Sequence, residues 1–207
     1  MAAVFPAGAG STSPTAERAL RSPAFRTVSE RLLGDRRLSV LDLGPPMTAT
    51  LGFFGQAPCR LCLEDLAADL LDWRPPQEGD AVAEAEVALA RAFVHSARER
   101  FDLVLAWDLP CYLHPIMLGA LTAHIRASIG PASLVHVVGP TGERIPARPA
   151  RITVGRDQVL HYAPEDDRVM PGPRLSPGVL ERLMPGLRLQ HSFLLGEGLQ
   201  EFLLALR

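Results

Sequence analysis

The sequence contains no lysine and no asparagine: all 21 of its Lys-plus-Arg side chains are arginines, in a chain of 207 residues. Without lysine there can be no Schiff-base lysine, no P-loop lysine and no lysine general base. The codons of both missing residues are AT-rich, so the pattern reads as the coding bias of a GC-rich gene with chemical exclusions attached. Cysteine is scarce, at Cys59, Cys62 and Cys111. An odd number of thiols fits a reducing compartment. Cys59-x-x-Cys62 has the spacing of half a zinc site, but the second half is missing and the six histidines show no His-Glu-x-x-His pairing, so no metal is expected. No run reaches the roughly 20 apolar residues of a membrane span. The first fourteen residues lack the basic and apolar regions of a secretory leader, so a soluble, cytoplasmic protein is expected. A net charge of −2 with dispersed arginines gives no field for nucleic acid or an anionic membrane. Also missing are the Gly-x-Ser-x-Gly elbow, a dinucleotide fingerprint and a P-loop.

What is present is an ordinary globular composition, 47% hydrophobic and 21% charged. The length suits one α/β domain with a modest insertion. A disordered tail is expected over residues 1–14, rich in Ala, Gly, Ser, Thr and Pro, and a single domain over 15–207 that carries an inserted segment at 140–173. Ser22-Pro23 reads as a helix start, with Phe25, Val28, Leu32 and Leu33 on one face. Buried-strand patterns are expected at 38–43, 59–63, 101–107 and 133–138. Helices are expected at 48–54, from an Asp80 cap to about Arg100, at 115–129, and from Ser176-Pro177 to near Pro185. A hairpin over 152–162 sits between proline-rich arms, and a second hairpin over 187–206 closes the chain. Alternating strands and helices that end in an antiparallel hairpin imply a mostly parallel sheet with helices on both faces.

Four features then stand in order: Val40-Leu41-Asp42-Leu43-Gly44 at the first strand's end, Glu64-Asp65 at the second, Phe101 to Asp108 as an apolar strand ending in an acid, and the closing hairpin. In this the chain resembles the class I S-adenosylmethionine-dependent methyltransferases, over about residues 20–207. The resemblance implies a Rossmann-like α/β fold and S-adenosylmethionine as cofactor. It implies a site at the carboxyl ends of the strands formed by Asp42, Gly44, Pro46, Glu64, Asp65, Asp108 and Tyr112. The acid at the second strand would accept hydrogen bonds from the ribose hydroxyls, a role open to Glu64 or Asp65. Asp108 would face the adenosine or the cationic end, and Tyr112 could stack on the base.

The first loop departs from the family's acid-x-Gly-x-Gly-x-Gly. Pro46 and Thr48 stand at the second and third glycine positions, and Pro45-Pro46 removes two N–H donors where the backbone approaches the cofactor. A third strand is not legible between Leu66 and Asp80. His114, after the fourth-strand motif, and His161, in the inserted hairpin, are the candidates to accept a proton from a methyl acceptor. The inserted hairpin is expected to form one wall of the substrate cavity. The leading expectation is transfer of a methyl group to a small-molecule or peptide-borne nucleophile. The alternative is a catalytically inactive methyltransferase-like binding or scaffold protein.

Overall fold

The computed structural model describes residues 17–32, 34, 36–94, 99–155, 157–165 and 167–207. The tail expected over 1–14, together with Leu33, Arg98 and Arg156, lies outside them.

The chain begins with a short strand β1 (Arg18–Arg21) and helix α1 (Pro23–Leu32), followed by β2 (Leu38–Asp42), α2 (Thr48–Phe54), β3 (Cys59–Leu63), α3 (Leu66–Leu70) and α4 (Ala81–Ala92). Then come β4 (Phe101–Trp107), a single 3-10 turn at Leu109–Cys111, α5 (Pro115–Ser128) and the long β5 (Ile129–Pro140). The inserted segment holds β6 (Arg144–Pro146), β7 (Arg151–Val154), β8 (Val159–Ala163) and β9 (Val169–Pro171); α6 (Pro177–Leu183), β10 (Leu187–Gly196) and β11 (Leu199–Leu206) follow.

The main sheet has six strands in the order β10-β11-β5-β4-β2-β3. The pairs β2–β3, β2–β4 and β4–β5 are parallel, and β11 runs antiparallel to both β5 and β10. Successive side chains along each strand point to opposite faces. Leu41, Val104, Val135, Phe202 and Leu204 therefore join the cluster under α3, α4, α5 and α6. Val40, Leu103, Leu105, Leu134 and Leu203 join the cluster formed with α1 and α2. Both faces are covered, which is why the parallel strands read as nearly continuous apolar runs. Order along the sheet reverses between β2 and β4, so the crevice outside their carboxyl ends is the switch point where ligands bind in open α/β sheets.

The inserted segment contributes more than a cavity wall. Its arms pair with each other as β6 and β9, and its hairpin β7–β8 gains a third strand from β1. Ile152, Val154, Leu160 and Tyr162 are at most 5% exposed and pack against Phe25, Phe53 and Leu20. The hairpin thus supplies core on the α1–α2 face. The pairing of β1 with β8 has no local sequence signal.

One further difference from the sequence reading, the end of α4, has a physical cause. Asp80 caps α4, accepting from the backbone N–H of Val82 and Ala83, but the helix stops at Ala92 and does not continue to Arg100. The chain turns extended at Phe93, whose ring stacks on His124 at 4.1 Å, and the N–H of Val94 donates to the buried Glu64 Oε1 at 3.1 Å. Residues 66–80 form no strand; α3 takes their start and leaves β3 at the sheet's edge.

A buried polar cluster ties the two ends of the described chain together. Glu201 on β11 accepts from the Ser22 hydroxyl at 2.7 Å and from the Ala24 N–H at 2.8 Å, and His136 Nε2 lies 3.2 Å from it. His136 and Glu201 are fully buried, and His136 Nδ1 has no hydrogen-bond partner. A bare ring acceptor is cheaper to bury unpaired than an N–H, so the proton belongs on Nε2, donated to Glu201. Ser22 also caps α1 through the Phe25 N–H at 3.0 Å.

Candidate functional site

The carboxyl end of β2 is fastened before it reaches solvent. Asp42, 2% exposed, accepts from the Gly44 N–H at 3.0 Å and from the Trp107 indole N–H at 2.6 Å, both on Oδ1. Burial pushes its carboxyl up to about 6, while the Gly44 and Trp107 bonds pull the other way. Leu43 donates to Leu105 O at 3.0 Å and Glu64 to Asp42 O at 2.8 Å, so the ends of β2, β3 and β4 are held in one frame. Only glycine fits at position 44, because a Cβ there would meet Trp107 Cδ1 at 2.8 Å. Trp107 itself has φ of 49°, an uncommon conformation for a bulky residue. Its ring stacks on Phe25 at 5.9 Å and its N–H is spent on Asp42, so it belongs to the core.

Outside this frame lies a cavity of about 570 Å³, within the usual range for small-molecule sites. One wall is the β2 loop, with Pro45 and Met47; a second is α3 and its two flanks, with Asp65, Ala68 and Asp72. Tyr112 and the inserted segment from Ala147 to Arg151 complete it, with Glu165 and Met170. Deeper in, a recess of about 30 Å³ is bounded by Gly44, Trp107, Asp108, Pro149, Ala150 and Ile152. That is about one water's share of liquid volume.

The structure sorts the residues that the sequence grouped. Asp65 is exposed and lines the cavity. Glu64 is 3% exposed and bound to the Val94 N–H, and it does not line the cavity. Asp42 is buried beneath the loop, Gly44 reaches only the small recess, and Pro46 is exposed and lines neither space, its place being taken by Pro45. Asp108, 4% exposed, faces the recess and accepts from the Ala150 N–H at 2.9 Å. Burial drives its carboxyl up to about 7, with the Ala150 bond acting against the shift. Tyr112 lines the outer cavity. Its burial, the Asp108 charge, Tyr162 and Cys111 hold its phenol well above the ordinary range, so it stays a neutral donor.

Neither histidine candidate reaches the cavity. His114 caps α5, with Nδ1 accepting from the Ile116 N–H at 3.3 Å, and lies edge-on to Trp73 at 5.6 Å. His161 sits in the three-stranded sheet with Nδ1 2.8 Å from Glu17 Oε1. Cys59, Cys62 and Cys111 are free thiols, and among the described residues no three His, Cys, Asp or Glu side chains form a metal-ligating group. No helix among them is long and apolar enough to cross a membrane.

Sequence reasoning missed Ala150 as the backbone donor that occupies Asp108, because no local pattern marks a backbone N–H. Arg148 lies in the inserted segment expected to wall the cavity, and it lines it.

The sheet order, the reversal between β2 and β4 and the closing β10–β11 hairpin define the architecture. The fold is a Rossmann-like α/β fold. No protein-family model and no curated protein matches the sequence. Among solved structures, the chain is similar to the Burkholderia thailandensis 1,6-didemethyltoxoflavin-N1-methyltransferase bound to 1,6-didemethyltoxoflavin and S-adenosylhomocysteine. That match has 20% identity, 89% of this chain and 78% of that one, and a TM-score of 0.46. It is also similar to a TehB-like SAM-dependent methyltransferase of Corynebacterium glutamicum at 13% identity, covering 88% and 86%, with a TM-score of 0.47. A protein of Pyrococcus horikoshii matches at 14% identity over 90% and 93%, with a TM-score of 0.48.

Proposed function

We propose that this protein binds S-adenosylmethionine in the cavity at the carboxyl edge of its sheet and transfers the methyl group to a small-molecule or peptide-borne nucleophile. The observation that carries this reading is the cavity of about 570 Å³ at the switch point, with the exposed carboxylate of Asp65 on its wall.

The residues present fit the nucleoside half of such a ligand. Asp65 follows the second strand, where a carboxylate can accept from both ribose hydroxyls. Met47, Ala68 and Leu71 offer apolar surface to a base, and Tyr112 adds a ring and a neutral hydroxyl. They do not fit an amino-acid end beside Gly44, because the recess there is about 30 Å³ and the Asp108 carboxylate is taken by Ala150. An amino-acid end fits only in the outer cavity. Bound there, the cofactor would supply an electrophilic methyl group on a sulfonium. The chain's own task would be to hold donor and acceptor in line, which is worth up to roughly 7–11 kcal/mol in favourable cases. The fixed walls at Pro45 and Pro149 would keep water from part of the site. No side chain of the cavity is assigned to remove a proton.

The small size of the recess beside Gly44 also favours a second reading, a catalytically inactive binding protein built on the same fold. Calorimetric titration with S-adenosylmethionine and S-adenosylhomocysteine tests the first reading and separates the two. Micromolar binding of both, with methyl transfer to acceptor pools, supports the enzyme. Binding without transfer supports the inactive binding protein, and no binding of either removes S-adenosylmethionine from the account.

A further inference from the structure

The outer cavity is lined by charges of both signs: Asp65, Asp72 and Arg74 stand on the β3–α3 side, and Arg148, Arg151 and Glu165 stand on the inserted segment. The loop after β2 offers little to an anion, since Pro45 and Pro46 have no N–H and the Gly44 N–H is spent on Asp42. The recess behind it, lined by Pro149 and Ala150, is only about 30 Å³. The cations offered to an anionic end of a ligand in this cavity are the arginines that line it.

Three arginines line that space, and two are engaged. Arg151 Nε lies 3.3 Å from Glu165 Oε1, and Arg74 donates to the carbonyls of Leu71 at 2.9 Å and Trp73 at 2.7 Å. Arg148 is exposed to the cavity and, among the described residues, has no hydrogen bond or ion pair. It precedes Pro149, which restricts its backbone to extended conformations, and the chain is pinned on both sides. The Ala147 N–H donates to Arg168 O at 2.8 Å and the Ala150 N–H to Asp108 at 2.9 Å. A guanidinium on a fixed stretch of backbone, facing a cavity with no other free cation among the described residues, is suited to bidentate carboxylate recognition.

We infer that Arg148 is a binding residue that takes the carboxylate at the amino-acid end of the nucleoside ligand. In this site anion recognition has moved from the glycine loop to the inserted segment. The inference rests on the proposed function, and the ligand class it specifies is a nucleoside carrying a 5′-linked α-amino acid.

The experiment compares S-adenosylmethionine with its decarboxylated analogue, which keeps the sulfonium and the amine and lacks only the carboxylate. Calorimetry on the full chain is expected to show the intact ligand binding about tenfold more tightly, a difference of about 1.4 kcal/mol. Arg148→Gln should remove that preference without weakening the decarboxylated ligand, and Arg148→Lys should keep part of it. Thermal melts of both variants are expected to match the parent, since the side chain is exposed. A preference retained in Arg148→Gln, or equal binding of the two ligands by the parent protein, overturns the role of Arg148 and leaves the nucleoside site standing. No binding of either ligand by the folded parent protein overturns both this inference and the function it rests on.

Discussion

The backbone N–H of Ala150 donates to Asp108 Oδ2 at 2.9 Å, joining the inserted segment to the carboxyl end of β4 across 42 residues of sequence. This one bond sets Ala150 on the wall of the small recess beside Gly44 and occupies the acid at the end of β4.

Asp108 should make stability depend on pH. Its folded-state carboxyl is raised to about 7 and that of Asp42 to about 6, both by burial. A raised carboxyl binds its proton more tightly in the folded state. Its contribution is therefore complete below about pH 4 and is lost as pH rises through the folded value. For Asp108 the loss across pH 4 to 7 is roughly 4 kcal/mol at most. Asp108→Asn, which keeps an acceptor for Ala150, is expected to flatten the fall in melting temperature between about pH 4 and 7. An unaltered profile would move the effect elsewhere.

The neighbouring acids Glu64 and Asp65 should separate cleanly. Asp65→Ala is expected to weaken nucleoside binding by about 1–3 kcal/mol with little change in stability, since its carboxylate is exposed and lines the cavity. Glu64→Ala should instead cost about 1–3 kcal/mol of stability by leaving the Val94 N–H without its acceptor. Calorimetry and urea denaturation on the two variants measure the split, and the reverse pattern would reassign the site.

Removal of residues 147–164 with a Gly-Ser bridge is expected to destroy cooperative folding. Ile152, Val154 and Leu160 are at most 5% exposed, and burying each such side chain is worth about 1.5–3 kcal/mol. Their sum rivals the whole stability of a typical domain, about 5–15 kcal/mol, and β1 loses its only partner among the described residues as well. A sharp thermal transition in the deletion variant would show the hairpin to be a dispensable decoration.

Glu201→Ala should be among the most damaging single changes in the chain. It strands the Ser22 hydroxyl, the Ala24 N–H and the His136 ring N–H without an acceptor, and each buried donor left unsatisfied costs about 1–3 kcal/mol. Glu201→Gln keeps one acceptor oxygen and should cost less. Equal midpoints for the two variants in urea would remove this cluster from the account of stability.

The sequence by itself determined the strands and the acids at their ends. Leu38–Asp42, Cys59–Leu63 and Phe101–Trp107 were legible because buried parallel strands are written as short apolar runs, and the caps Ser22 and Asp80 because a cap bonds within three residues of itself. Only the tertiary structure decided which acid serves the cavity. Glu64 and Asp65 are adjacent and chemically alike, and the choice is made by the Val94 N–H, delivered by a chain that leaves α4 early. It likewise decided that β1 pairs with β8 and that Ala150 donates to Asp108 at the recess. Those contacts are made by backbone N–H groups far apart in sequence. Nearly every residue carries such a group, so no residue type announces its partner; packing and the cost of an unpaired buried donor select it.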